Sequence, residues 1–286
     1  MMRPLYSLKT TLEMIKFEHT LFALPFALLS AILASGGLPN ASKLLWILIA
    51  MVGARSAAMA FNRIADRRID SLNPRTCMRA LPAGQVSLAF AVWFTVGSGL
   101  LFIIAAHQLN PLCLWLSLPV LLILILYSYT KRFTHYSHLF LGLCLGLAPL
   151  GAWIAIRGDI KFTPILLCLI VLLWTAGFDI IYACQDLEFD LRQNLCSIPK
   201  RFGVKTALRF SSGLHVIMLV LLVVLSLLED LSWISFLGIF LVSCLLWYEH
   251  QLVRPNDLSK VNAAFFSVNG YISVVLLIAV GLDKLI

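Results

Sequence analysis

The amino-acid sequence predicts an all-α, polytopic membrane protein with about nine transmembrane helices, forming a single integral-membrane domain over residues 1–286. Three observations carry that expectation. The chain is 60% hydrophobic and 13% charged, with a mean hydropathy of +0.93, which excludes an ordinary soluble domain. Apolar runs of about 20 residues recur along its length, each long enough to cross about 30 Å of hydrocarbon. Short strands of alternating pattern, the mark of an outer-membrane barrel, are absent from the sequence.

The spans are expected at 19–38, 42–62, 86–107, 110–130, 137–156, 162–184, 208–229, 231–249 and 263–283. Lys16 and Glu18 stand directly before the first run and many spans follow it, so it reads as a retained helix, not a cleaved signal peptide. Five of the seven cysteines fall inside expected helices and none forms a Cys-x-x-Cys pair, so they read as small apolar packing residues.

Basic residues are distributed unevenly between the two sides. Alternate connections, counted from Arg3, Lys9 and Lys16, hold 17 of the 22 Lys and Arg residues. The positive-inside rule places that side in the cytoplasm, and an odd number of helices places the C-terminus on the far side. No extramembrane basic domain exists to bind nucleic acid, and no obligate protein partner is evident.

Two acidic clusters, each ending an apolar helix, lie on that same side. The first is Asn62-Arg-Ile-Ala-Asp66-Arg-Arg-Ile-Asp70 and the second is Asp179-Ile-Ile-Tyr182-Ala-Cys-Gln-Asp186-Leu-Glu188-Phe-Asp190. Together they hold six of the 14 acidic residues. Carboxylates at membrane depth are costly and mark sites. Spacings of three and four align Asn62, Asp66 and Asp70 on one helical face, and Asp179, Tyr182, Asp186 and Asp190 on another. The first helix is expected to continue to about Asp70 and to stop before Pro74. The bland alternative is that Asp66 and Asp70 neutralise Arg63 and Arg67 at a helix end; the repeat of the pattern in the second cluster argues against it. Hard oxygen ligands from Asn62, Asp66, Asp70, Asp186 and Asp190 suit Mg2+ and a phosphorylated substrate, and Arg67, Arg75 and Arg79 are forks for phosphate oxygens. Arg55 lies deeper on the first face; Glu188 points elsewhere, as a solvated partner of Arg192.

A third polar patch runs from Tyr127 through Lys131 and Arg132 to His135 and His138. Tyr127 and Lys131, four apart, would face together on an α-helix. The two histidines have ligand spacing but no third ligand nearby, so a zinc site is not expected.

These motifs resemble the signatures of the UbiA superfamily of intramembrane prenyltransferases. Asn62-x3-Asp66-x3-Asp70 with Asn73-Pro74-Arg75-Thr76 looks like the first signature, and Asp179-x2-Tyr182-Ala183-x2-Asp186-x3-Asp190 like the second. Tyr127-x3-Lys131-Arg132 resembles the tyrosine-lysine signature between them, and Ile15-Lys16-Phe17-Glu18-His19 and Pro25 extend the likeness to the first span. The resemblance implies a nine-helix fold around a central cavity, two Mg2+ ions, and a polyprenyl diphosphate donor for an aromatic acceptor in respiratory quinone synthesis at a bacterial inner membrane. Members acting on 4-hydroxybenzoate often carry Asn-Asp where this chain has Asn62-Arg63, so Phe61-Asn62-Arg63 looks more like a branch associated with the futalosine route to menaquinone. A 4-hydroxybenzoate-like acid is the leading acceptor and a naphthoate or futalosine-type precursor the close alternative. In the mechanism so implied, Arg67, Lys131, Arg132 or Lys200 stabilise the departing diphosphate, and Tyr127 and Tyr182 line the substrate. Asp179, deeper than the metal ligands, orients or deprotonates a ring hydroxyl, and Arg55 or Arg132 pairs with an acceptor carboxylate.

The rival class is a secondary transporter. It would hold its charges near the bilayer midplane, often at broken helices, whereas here they sit at helix ends on one side.

Overall fold

The computed structural model describes residues 8–15 and 20–286. Lys16, Phe17, Glu18 and His19, the core of the expected entry to the first span, lie outside the described residues, as does Arg3. The helices are, in order, α1 (Leu8–Met14), α2 (Thr20–Ser35), α3 (Ala41–Ala65), α4 (Arg67–Leu72), α5 (Leu88–Leu109), α6 (Pro111–Leu126), α7 (Ser137–Arg157), α8 (Phe162–Ala183), α9 (Leu187–Arg192), α10 (Ile198–Phe202), α11 (Val204–Leu228), α12 (Trp233–Leu252), α13 (Val261–Ala263) and α14 (Asn269–Leu285). Short 3₁₀ segments occupy Tyr127–Arg132 and Cys184–Asp186, and a π turn occupies Ala264–Val268. Among the described residues eight helical stretches are long and apolar enough to cross a membrane, and Phe22–Ser35 is a shorter apolar helix. This matches the expected spans. The short helices α4, α9 and α10 in the connections were not expected.

The chain divides into two compact units. The first comprises residues 1–20 and 45–129. Its core joins Met14, Ile15, Ala60, Ala80 and Val86 to Met59, Phe90 and Phe94. Gly53 lets α3 approach α5 closely, since a Cβ there would meet the Phe102 amide and the Ser98 carbonyl at 2.8 and 2.9 Å. Capping follows local chemistry. Ser87 accepts from the Phe90 amide at the start of α5, and Asn110 accepts from the Cys113 amide at the start of α6, where Pro111 takes the first turn without losing a bonded N–H.

The second unit comprises residues 21–44 and 130–286. Its axis is α8, buried along most of its length, with Trp174 and Phe178 packed among Phe22, Phe26, Met218, Phe265 and Ile272. Helix α7 lies against α8 through Gly142 and Gly146, whose missing Cβ atoms would collide with the Leu172 and Cys168 carbonyls. Small residues four apart let two membrane helices meet backbone to backbone, where dispersion rather than water exclusion drives association. Large apolar side chains such as Trp115, Ile217, Val220, Leu227 and Phe240 remain exposed, as expected of faces turned to lipid.

All seven cysteines are free thiols. The expected solvated pair forms too, with Glu188 and Arg192 3.7 Å apart and both side chains highly exposed.

Candidate active site

The first cluster is built at a break. Helix α3 stops at Ala65, Asp66 sits at φ −94°, ψ 8°, and α4 begins at Arg67. The sequence predicted one helix running to Asp70. The turn-like backbone at Asp66 interrupts it, yet the spacing survives: the Asp66 amide donates to the Asn62 carbonyl at 2.9 Å and the Asp70 amide to the Asp66 carbonyl at 2.7 Å. Asn62 Nδ2 donates to Asp66 Oδ2 at 3.0 Å, so the amide orients the first carboxylate.

Asp70 is buried and saturated with cations. Arg79 Nη1 donates to its two oxygens at 2.7 and 2.9 Å, and Arg63 Nη1 stands 3.5 Å away. Arg63, itself buried, also donates through Nε to the Met14 carbonyl at 3.3 Å. The Asn73-Pro74-Arg75-Thr76 run folds Arg79 back to reach Asp70. The Asn73 side chain accepts from the Arg75 amide, its carbonyl accepts from the Thr76 and Cys77 amides, and the Thr76 hydroxyl donates to the Asp70 carbonyl at 3.0 Å. Arg79, read from sequence as a phosphate fork, is therefore engaged with Asp70. Arg67 and Arg75 are exposed, and Arg55 is half-buried within α3.

The second cluster has the same break. Helix α8 ends at Ala183, a 3₁₀ turn carries Cys184–Asp186, and Asp186 sits at φ −96°, ψ 6° before α9. The single helical stripe predicted from Asp179 to Asp190 is thus divided at Asp186. Asp186 and Asp190 are both buried. Asp190 Oδ2 has no hydrogen-bond partner among the described residues, and Lys131 Nζ lies 4.0 Å from it, beyond hydrogen-bond reach. The Lys131 carbonyl accepts from the Cys196 amide at 2.7 Å, which ties this segment to the loop after α9. Residues 127–132 form a 3₁₀ helix, in which spacings of three rather than four eclipse. Tyr127 and Lys131 therefore do not share a face as predicted. Arg132 is exposed, and Lys200 Nζ donates to Asn194 Oδ1 at 2.8 Å.

Asp179 accepts from His138 Nδ1 at 2.7 Å. Sequence reasoning considered His138 only as a metal ligand and missed this pairing. Its neighbour His135 sits 3.3 Å from the Ser197 carbonyl. Tyr182 packs 4.3 Å, centroid to centroid, from Phe265 in the π turn. Asn269 holds that turn open by donating to the Ala264 and Phe265 carbonyls and to Glu249 Oε1. Neither Asn269 nor Glu249 was singled out from sequence, although an acidic residue inside an apolar span is itself a signal.

No three His, Cys, Asp or Glu side chains among the described residues converge into a complete metal cage. The donors nevertheless suit a hard divalent ion, being carboxylate and amide oxygens with one buried carboxylate oxygen left unsatisfied at Asp190.

The UbiA prenyltransferase family matches residues 23–271. A 4-hydroxybenzoate octaprenyltransferase from Francisella tularensis subsp. novicida (strain U112) is 32% identical over 252 residues, covering 88% of each chain. One of the same name from Tolumonas auensis is 32% identical over 237 residues, covering 83% of this chain and 82% of that one. Among solved structures, a UbiA homolog from Aeropyrum pernix K1 in its apo form superposes with a TM-score of 0.85 at 33% identity, covering 94% of this chain and 98% of that one. A homolog from Archaeoglobus fulgidus bound to GPP and Mg2+ shares the fold with a TM-score of 0.74 at 23% identity, covering 96% and 99%. Fold, paired acidic signatures and relatives agree: the chain is an integral-membrane enzyme belonging to the UbiA prenyltransferase family.

Proposed function

We propose that the enzyme transfers a polyprenyl group from a polyprenyl diphosphate to a 4-hydroxybenzoate-like aromatic acid, at the cytoplasmic face of a bacterial inner membrane. The observation that carries this reading is the buried, unsatisfied Asp190 oxygen beside Lys131 in the second family signature. The names of the curated relatives support the acceptor class. They also set the transporter aside.

Asn62, Asp66, Asp186 and Asp190 would hold Mg2+, in two ions by our reading, while Asp70, read from sequence as a fifth ligand, is engaged by Arg79 and Arg63. Bound there, Mg2+ supplies charge neutralisation for the diphosphate leaving group. Lys131, Arg132, Arg67, Arg75 and Lys200 add cationic stabilisation as the allylic C–O bond breaks and its electron pair departs with the diphosphate. The acceptor ring carbon bonds to the allylic carbon, and the ring then loses the proton from that position. Asp179 holds the acceptor hydroxyl, Arg55 its carboxylate, and Tyr127 and Tyr182 flank the reacting groups. Tens of apolar carbons in the donor tail, at about 0.8 kcal/mol per buried CH2, require the reaction to run within lipid.

The test is a membrane assay with labelled prenyl diphosphate, 4-hydroxybenzoate and 1,4-dihydroxy-2-naphthoate. Prenylated 4-hydroxybenzoate, and restored ubiquinone in a strain lacking that transferase, is the expected result. Transfer to the naphthoate alone would overturn it in favour of the menaquinone reading. That reading drew on Arg63 standing where members acting on 4-hydroxybenzoate often carry aspartate; burial of Arg63 against Asp70 and the Met14 carbonyl gives the residue a structural role and weakens the argument.

A further inference from the structure

The register of α7 on α8 carries consequences beyond packing. His138, Gly142 and Gly146 are spaced by four and share one face of α7. The two glycines seat that face on the α8 backbone at Leu172 and Cys168. One turn earlier the same face delivers the His138 imidazole, fully buried, to Asp179. His138 is the one hydrogen-bond partner of Asp179 among the described residues. His138 Nε2 is buried and has none.

A carboxylate accepts and does not donate, so the proton of a neutral His138 resides on Nδ1 and points at Asp179 Oδ2. One oxygen is then fixed and the other is left to a ligand. The Asp179 side chain keeps 19% of its surface exposed, while that of His138 keeps none. The imidazole is therefore placed to orient the carboxylate and not to meet substrate. We propose that His138 is a positioning residue for the acceptor: it locks the rotamer of Asp179 so that Oδ1 receives the ring hydroxyl. The proposal rests on the reading above that Asp179 handles the acceptor. A hydrogen-bonded partner of a reacting carboxylate restricts its rotation and thereby acts on the chemical step through geometry.

Three variants at His138 test this in purified, detergent- or nanodisc-held enzyme. Asn places an amide N–H where Nδ1 stands, Gln places it near Nε2, and Leu removes it. His138→Leu should lower kcat/KM for the acceptor on the order of 10- to 100-fold while leaving the donor KM within about twofold. His138→Asn should recover most of that loss and His138→Gln should not. Adding Asp179→Asn to His138→Leu should cost little more than Asp179→Asn alone. Equal losses in the Asn and Leu variants, a loss on the donor KM instead, or full additivity with Asp179→Asn would overturn the proposal. If His138→Leu does not fold, the Asn and Gln comparison decides. Failure of the functional reading is separate: wild-type enzyme would then prenylate neither hydroxyaromatic acid, whatever stands at 138.

Discussion

The two acidic clusters share a blueprint and differ in what their carboxylates do. Each presents aspartates four apart, and each breaks its helix at the middle aspartate, Asp66 at φ −94°, ψ 8° and Asp186 at φ −96°, ψ 6°. In the first cluster the last aspartate, Asp70, is met by Arg79 on both oxygens and by Arg63. In the second the last aspartate, Asp190, keeps an unsatisfied buried oxygen with Lys131 4.0 Å away. Identical spacing thus leaves one carboxylate locked into the fold and the other with a buried oxygen that no hydrogen bond satisfies among the described residues. The difference arises from the connections. Asn73-Pro74-Arg75-Thr76 turns the chain so that Arg79 comes back to its own cluster, whereas the loop after α9 folds onto the Lys131 carbonyl and supplies no such cation to Asp190.

The comparison can be broken at several depths. Removing the middle carboxylate of either cluster should have the largest effect: Asp66→Ala and Asp186→Ala should each cut turnover at saturating donor by about 100-fold or more, with normal gel-filtration and melting profiles. Near-normal turnover in either would show that one cluster suffices. The next contrast separates structure from chemistry. Arg79→Leu should destabilise the protein by about 2 kcal/mol, because it strips the buried Asp70 of the cation that meets both its oxygens. Lys131→Met should leave the thermal midpoint nearly unchanged and lower kcat on the order of 10-fold, since its partner already lies beyond hydrogen-bond reach. An exchange of those phenotypes would mean that the locked and unsatisfied roles are assigned to the wrong clusters. The smallest effect is expected at the exposed Glu188–Arg192 pair, where Glu188→Gln should alter neither melting nor turnover measurably.

Much of this molecule is legible in one dimension. A membrane helix must satisfy its own backbone, so apolar runs of sufficient length announce themselves, and the nine expected spans correspond to eight long helices and the shorter α2 among the described residues. The acidic clusters were equally visible, because charge in such a composition is rare enough to mark a site. The 3₁₀ segment at residues 127–132, the π turn at Ala264–Val268 and the breaks at Asp66 and Asp186 were not. A spacing of four is compatible with a continuous helix and with a kinked one, and tertiary contacts choose between them. The π turn depends on Asn269 bonding the Ala264 and Phe265 carbonyls while reaching Glu249, a partner 20 residues away.

What the sequence by itself determined is therefore the membrane class, the number of spans, the family and the positions of the two acidic clusters. These follow from composition and periodicity, which are local. Which carboxylate is neutralised and which left open was decided in three dimensions. So was the pairing of His138, an apparent orphan 41 residues from Asp179, which depends on two glycines letting α7 and α8 touch at one register. Partner choice is a matter of distance across helices, and a spacing rule along one helix carries no information about it.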